Sequence, residues 1–348
     1  MATRTTRKRA RTSSAVAVGA QEDAEVVEDD VPKQPLVRDE EFWYDDGTII
    51  LIARNVEFRI YKGILAEHSP VFKDMFSFPQ PPSAPNTEPQ CPVVHLSDSP
   101  EDLRHVLRVY MPKNGINPFE AEHPSFDMIS ATVRLGLKYQ ISTLVEHSMK
   151  YLKGFFSSDL DTWGKQADYL PPGFSDPDVI GVINLARLTG ETSILPTAVI
   201  AACMEWNDVH RGRGREDGTL EQLTMDDIAL CNAAKDKLIQ ERVRIVLQVL
   251  APPVSRTCKN TNPGDCKRAM NRALKDLAGK VDKFVVPDPF SHIDCMFQRG
   301  AELAVCDECW RMILKREDLE HRDLWQRLPT LLRLVKDAGQ AQAAAHAT

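Results

Sequence analysis

Residues 46–76 read DGTIILIARNVEFRIYKGILAEHSPVFKDMF, and this stretch decides the fold. The run 49–53 is apolar and favours β-structure, and the run 56–60 alternates apolar and polar side chains with a period of two. Only Arg54 and Asn55 separate the two runs, which is the spacing of a β-hairpin. We expect Asn55 to adopt the positive φ that such turns need. The stretch therefore predicts two antiparallel strands.

Helix starts lie on both sides of a third predicted strand. Ser69 before a proline predicts an N-cap, and Ser99 before a proline predicts a second one. The short apolar segment 93–96 between them predicts a strand. Apolar periodicity predicts two more helices, at about 125–138 and 141–152. This order is best satisfied by an α+β fold, in which a small, mostly antiparallel sheet is capped by a helical cluster.

The chain as a whole is predicted to contain two folded regions. We expect a disordered arm at 1–35, an α+β domain at 36–155, an all-α region at 156–337 and a disordered tail at 338–348. Six prolines within 79–92 predict an extended surface loop, because neither a helix interior nor a central strand tolerates them.

The all-α region is predicted from apolar periodicity. Helices are expected at 177–189, at 193–209 and near 225–250. The alternating Arg and Gly residues at 211–215 predict a flexible loop and give only weak grounds for RNA binding.

Composition narrows the classes of function. Hydrophobic residues make up 43% and charged residues 27% of the 348 residues, as in ordinary globular proteins. No apolar run approaches the roughly 18 residues that would cross a bilayer, and the basic start lacks the apolar segment of a secretory signal. A formal charge of −7 gives no general reason to expect direct nucleic-acid binding. The basic cluster at 7–11 resembles a nuclear-import signal, so we expect a location in the nucleus, the cytoplasm or both.

The stretch quoted above resembles the BTB/POZ domain. That family begins a strand with Asp-Gly, as at Asp46, and then has F-x-v-H-K-x-x-L-a, which aligns with 58–66, and S-x-x-F-x-x-M-F, which aligns with 69–76. Tyr61 stands where the family usually has His, while Lys62 matches. The resemblance covers about residues 40–153. The lead-in, the Pro-rich insertion and the helical Cys-containing C-terminal region look most like the fungal group of BTB proteins.

The resemblance implies a non-enzymatic protein–protein interaction module that has protein partners and can form a homodimer. In the family, the N-terminal segment often forms a dimer face, and Phe42, Trp43 and Tyr44 lie in the matching place. An equally good reading is that these aromatics cap their own domain's sheet. The alternatives within the family are a substrate adaptor of a cullin-type ubiquitin ligase and a nuclear regulator of transcription or chromatin.

The residues themselves do not point to an enzyme. The sequence has no phosphate-binding loop, dinucleotide fingerprint, nucleophile elbow or HExxH zinc motif. No catalytic or cofactor-binding residue is therefore assigned.

The cysteines carry the one chemical signal. Cys306 and Cys309 have the spacing of a metal-binding pair, and Cys258 and Cys266 lie upstream in a loop predicted for 252–266. Four thiolates would complete a tetrahedral structural zinc site, although the spacing from Cys258 to Cys266 is wider than that of the usual zinc knuckle.

Other readings of the cysteines stay open. His292 or Cys295 can substitute as a ligand, and the pair Cys306/Cys309 can act as a thiol–disulfide switch. The plain alternative is that Cys203, Cys231 and Cys295 are small core residues and that the others are incidental thiols.

Overall fold

The computed structural model describes residues 35–78, 91–113, 117–205, 209–298 and 302–334. The predicted arm before Pro35, most of the Pro-rich loop at 79–92 and the tail at 338–348 lie outside the described residues. Among the described helices, none combines the length and the apolar character that crossing a bilayer requires.

The N-terminal domain contains a four-stranded sheet in the order β1-β3-β2-β4. The strands are β1 (Val37–Trp43), β2 (Ile49–Ala53), β3 (Val56–Ile60) and β4 (Val93–Leu96). Strands β2 and β3 form the predicted antiparallel hairpin, whereas β1 runs parallel to β3 and β4 runs parallel to β2. The sheet is therefore mixed rather than mostly antiparallel, because both outer strands reach their neighbours through long connections instead of tight turns.

The turn between β2 and β3 differs from the expected one. Arg54, not Asn55, has the positive φ, at 52°. The Arg54 guanidinium is held from outside the domain, since its Nη2 lies 2.7 Å from Asp217 Oδ2. Arg54 thus adopts a positive φ, which asparagine adopts more readily than arginine, and its side chain forms a tertiary ion pair.

Five helices complete the N-terminal domain: α1 (Lys62–His68), α2 (Pro70–Ser77), α3 (Pro100–Tyr110), α4 (Phe126–Lys138) and α5 (Ser142–Phe155). Both predicted N-caps are confirmed. Ser69 Oγ accepts a hydrogen bond from the Phe72 N–H, and Ser99 Oγ accepts one from the Asp102 N–H. These helices and the sheet enclose one apolar cluster, the sheet core, which includes Phe42, Phe58 and Leu107.

The C-terminal region is helical, as predicted. Its helices are α6 (Leu160–Trp163), α7 (Asp178–Thr189), α8 (Leu195–Met204), α9 (Met225–Leu250), α10 (Pro263–Asp276), α11 (Val281–Phe284) and α12 (Asp307–Leu331). A small hairpin of β5 (Arg213–Gly214) and β6 (Leu220–Glu221) separates α8 from α9. The two long helices, α9 and α12, pack against each other.

Two further apolar clusters organise this region. The central core joins the N-terminal domain to the C-terminal helices, because Phe126 and Ile129 of α4 lie in it together with Ile180 of α7 and Ile200 of α8. Contact between α4 and α7 is close, since a Cβ atom on Gly181 would overlap the Phe126 ring. The distal core lies between the C-terminal half of α9, α10 and the N-terminal half of α12. The two folded regions are therefore packed into one body.

The residues predicted as a flexible Arg-Gly loop form an ordered ion-pair network. We call residues 211–221 the arginine hairpin. Arg213 is buried, and its guanidinium contacts Asp127 of α4 and, at 2.5 Å, Asp178 of α7. Arg215 Nη2 lies 2.5 Å from Asp102 of α3. The expectation of flexibility is wrong, because acidic groups distant in sequence neutralise these arginines.

Replacing Arg213 tests this hairpin. Arg213→Met should lower the free energy of unfolding by about 3–5 kcal/mol, because it leaves buried carboxylates without their partner. Urea unfolding of the full-length protein measures the change. Arg322→Met is the matched control, since Arg322 also contacts two aspartates but all three side chains are about half exposed. That change should cost about 0–1 kcal/mol, and equal losses in the two variants would contradict the assignment.

Candidate functional site

The four cysteines singled out from the sequence converge at one end of the distal core. Cys258 lies in the loop after α9, and Cys266 lies in the first turn of α10. Cys306 is the N-cap of α12, and Cys309 lies in the first turn of that helix. The helix α10 begins at Pro263, so the loop predicted for 252–266 ends earlier than expected.

The four sulfur atoms form a compact group. Cys258 Sγ lies 3.7 Å from Cys266 Sγ and 3.7 Å from Cys306 Sγ. All four Sγ atoms, including that of Cys309, lie within 4.8 Å of one another. All four thiols are free, and two of them, Cys266 and Cys309, are fully buried.

Hydrogen-bond donors point at the sulfur atoms. The Cys306 N–H lies 3.4 Å from Cys266 Sγ, and Asn260 Nδ2 lies 3.5 Å from the same sulfur. Burial raises the pKa of the Cys306 thiol, but the N–H groups of Cys309 and Lys259 lower it more, so the pKa is about 6. Burial raises the pKa of Cys309. Hydrogen bonds thus lower the pKa of one thiol of the group, whereas burial raises the pKa of another.

The loop that carries Cys258 is held against α12 by hydrogen bonds and by an ion pair. Arg316 Nη1 donates to the Ala251 carbonyl at 2.7 Å, and Arg316 Nη2 donates to the Pro253 carbonyl at 2.8 Å. Lys259 in this loop also pairs with Glu308 in the first turn of α12, since Lys259 Nζ lies 3.2 Å from Glu308 Oε1. These contacts hold the loop against the N-terminal part of α12.

The proposed substitute ligands lie outside the cluster. Cys295 is exposed, so the interpretation of it as a core residue is wrong, whereas Cys203 and Cys231 are buried as expected. His292 Nδ1 lies 3.2 Å from Glu317 Oε2 instead of facing the thiols. Four cysteines in this arrangement can bind a metal ion, which is the chemistry that their spacing predicted.

Besides the four cysteines, the structure contains a cluster of buried polar side chains that the sequence analysis did not predict. A surface cavity of about 620 Å³ is lined by Phe290, His292, Glu317 and His321, among others. Glu317 and His321 are buried, and the Ile293 N–H donates to Glu317 Oε1 at 2.6 Å.

A signal for this group does exist in the chain. Glu317 and His321 occupy the buried face of α12 that Ile313 and Leu324 also occupy. In the same way, the fully buried Arg242 lies between Leu238 and Ile245 on the buried face of α9. This cluster can therefore be recognised in the sequence from polar residues that occupy positions on the apolar face of a helix.

His321 should make stability depend on pH. Burial first, and then electrostatic interactions with His292 and Arg242, lower its pKa from 6.5 to about 4. The unfolded chain therefore takes up a proton that the folded protein does not, so the stabilisation is present above pH 6.5 and is lost as the pH falls toward 4. Between pH 7 and pH 5 this group should remove about 2 kcal/mol from the free energy of unfolding.

Urea unfolding at the two pH values measures this effect. His321→Gln should lessen the loss, whereas His147→Gln, which replaces an exposed histidine, should retain the wild-type behaviour. An unchanged pH dependence in His321→Gln would show that His321 does not cause it.

The N-terminal domain gives the clearest comparison with known proteins. The family model described as BTB/POZ domain matches residues 39–155, about a third of the chain. This segment is a BTB/POZ domain. BTB domains are protein–protein interaction modules, and the fold expected from the sequence is confirmed. No curated protein matches the chain. The finer resemblance to fungal BTB proteins stays a prediction.

The aromatic lead-in of the BTB domain divides between core and surface. Phe42 is fully buried in the sheet core, so it packs within its own domain rather than offering a face to a partner. Trp43 and Tyr44 are partly exposed. The Arg38 guanidinium lies 4.4 Å from the Trp43 ring centroid, and Lys113 Nζ lies 4.4 Å from that of Tyr44. Trp43 and Tyr44 are thus the residues of this lead-in that a partner can contact.

Proposed function

We propose that the protein is a non-enzymatic interaction module that recruits protein partners through its BTB domain. The match of residues 39–155 to the BTB/POZ family carries this proposal. We place the domain at 36–155 and the helical region at 156–337, and we expect both in the nucleus, the cytoplasm or both.

The packing of the domain supports one side as the binding surface. Helix α4 and one face of α5 contribute to the central core, so the C-terminal region covers them there. On the sheet, β1 is an edge strand. Leu36 just before it is 52% exposed, and Val37 at its start is 54% exposed. Exposed apolar residues beside unpaired strand groups favour contact with another chain.

We propose further that this side binds a second copy of the chain. The partly exposed rings of Trp43 and Tyr44 lie at the end of β1 and the residue after it, where large aromatic side chains supply contact area at little entropic cost. A two-fold dimer would use the same surface on both copies.

Light scattering on the full-length protein tests self-association. The wild type should be a dimer, and Trp43→Ala/Tyr44→Ala should shift it toward monomer at the same concentration. Phe42 is left unchanged, because truncating a buried phenylalanine would cost about 3–5 kcal/mol of stability. Leu188→Ala, which removes an exposed apolar side chain on α7, is the control and should stay dimeric. A wild type that remains monomeric at high concentration would remove the self-association proposal.

A substrate adaptor of a cullin-type ubiquitin ligase is the second candidate. It is favoured by the two-part arrangement, in which the helical region is packed onto the BTB domain and can present its own surface. Size-exclusion chromatography of the full-length protein mixed with a purified cullin N-terminal region should then give a co-eluting complex. Elution of the two as separate species would reject this role and leave a nuclear regulator as the remaining alternative.

A further inference from the structure

We infer that Cys258, Cys266, Cys306 and Cys309 bind one structural zinc ion that holds the distal core together. This inference concerns the C-terminal region and does not depend on what the BTB domain binds. It rests on the positions of the four sulfur atoms, on the groups around them and on the elements that they join.

The sulfur separations match a tetrahedral zinc–thiolate site. Zn–S bonds of about 2.3 Å at tetrahedral angles place neighbouring sulfur atoms about 3.8 Å apart. Cys258 Sγ lies 3.7 Å from two other sulfur atoms of the group. One ion at the centre can therefore contact all four, and the chain needs little adjustment to accept it.

The surroundings distinguish this group from ordinary buried cysteines. Cys203, for example, lies among apolar residues of the central core. Cys266, in contrast, is approached by the Cys306 N–H and by the side-chain amide of Asn260. Donors of this kind stabilise negative charge on sulfur, and the N-terminus of α12 beside Cys306 and Cys309 adds the positive end of a helix dipole. The site is suited to thiolate ligands.

The same arrangement argues for a closed metal site instead of disulfides or catalysis. Cys258 Sγ is equally far from two partners, and each separation greatly exceeds a disulfide bond of about 2.05 Å. Four protein ligands fill a tetrahedral zinc ion, so no position is open for a substrate. Thiolate ligands also exclude magnesium and calcium, which prefer oxygen.

The role of the ion follows from the elements that it joins. Cys258 comes from the loop after α9, Cys266 from α10 and the other two cysteines from the start of α12. These three segments surround the distal core, whose apolar residues include Val249, Met270 and Ile313. Binding of one ion closes the loop between Cys258 and Cys306 and so stabilises the folded state over the unfolded one. The sheet core lies in another part of the molecule and contains none of the four cysteines.

The first experiment measures metal in the full-length protein purified without added metal. Elemental analysis should find about one zinc ion per chain in the wild type and in Cys295→Ser, which removes an exposed cysteine outside the group. Cys306→Ser/Cys309→Ser should contain none. A wild type without bound metal would overturn the inference, and so would iron in place of zinc, because tetrahedral sulfur sites also accept iron.

The second experiment locates the effect of the ion and does not depend on whether a variant folds. Hydrogen exchange followed by mass spectrometry compares wild-type protein before and after removal of metal by a chelator under reducing conditions. Exchange should rise in 245–277 and 302–316 and should stay unchanged in the sheet at 37–60. Re-addition of zinc should restore the original pattern. A uniform increase, or no increase near the four cysteines, would contradict a structural ion at this site.

Discussion

Helices α4 and α5 each contribute apolar side chains to two separate cores, and the remainder of the structure depends on this. One face completes the sheet core of the BTB domain through residues such as Leu135 and Leu144. The other face supplies Phe126 and Leu152 to the central core, where the C-terminal helices pack. Each of these helices therefore stabilises two regions at once. Because burial of apolar surface is the main favourable contribution to folding, neither region keeps its full stability without the other.

Ion pairs fix the orientation of the BTB domain relative to the helical region, which the apolar contact alone specifies less closely. Arg213 binds Asp127 of the BTB domain and Asp178 of the helical region, so a single guanidinium spans the boundary. Arg134 Nη2 lies 2.5 Å from Glu221 Oε1 on the same side. Hydrophobic packing alone is non-directional, whereas charged hydrogen bonds act only in a narrow geometry. The two kinds of interaction together give the BTB domain and its helical region one relative arrangement.

What could be predicted from the sequence was local. Alternation in β3 and the caps at Ser69 and Ser99 are properties of a few neighbouring residues, and they were found correctly. Strand β1 was missed, because charged residues fill most of it and only Asp39 and Phe42 are buried. The arginine hairpin was misread for a related reason. Asp127, for example, is 86 residues from its partner Arg213, and no local sequence pattern predicts such a pair.

The cysteine group shows where chemistry extends prediction beyond local pattern. The separation of Cys306 and Cys309 is a short-range signal, but the approach of Cys258 and Cys266 depends on how α10 and α12 pack. This approach could be predicted because four cysteine thiolates commonly bind one structural zinc ion. The buried Arg242, Glu317 and His321 offered a comparable signal, since each occupies an apolar-face position of a long helix. That signal depends on knowing which face is buried.

The contribution of α4 and α5 to two cores also has a consequence for synthesis of the chain. The BTB segment leaves the ribosome first, but the face of α4 that carries Phe126 and Ile129 is not covered until the later helices are made. The last contribution to the central core is Leu328 and Leu332, at the end of α12. At about 5–20 residues per second, the central core is completed roughly 10–35 s after α5 has been made. During that interval the nascent chain presents apolar surface that chaperones bind, and a stop codon shortly before residue 324 would leave the part of the central core that Leu328 and Leu332 cover exposed permanently.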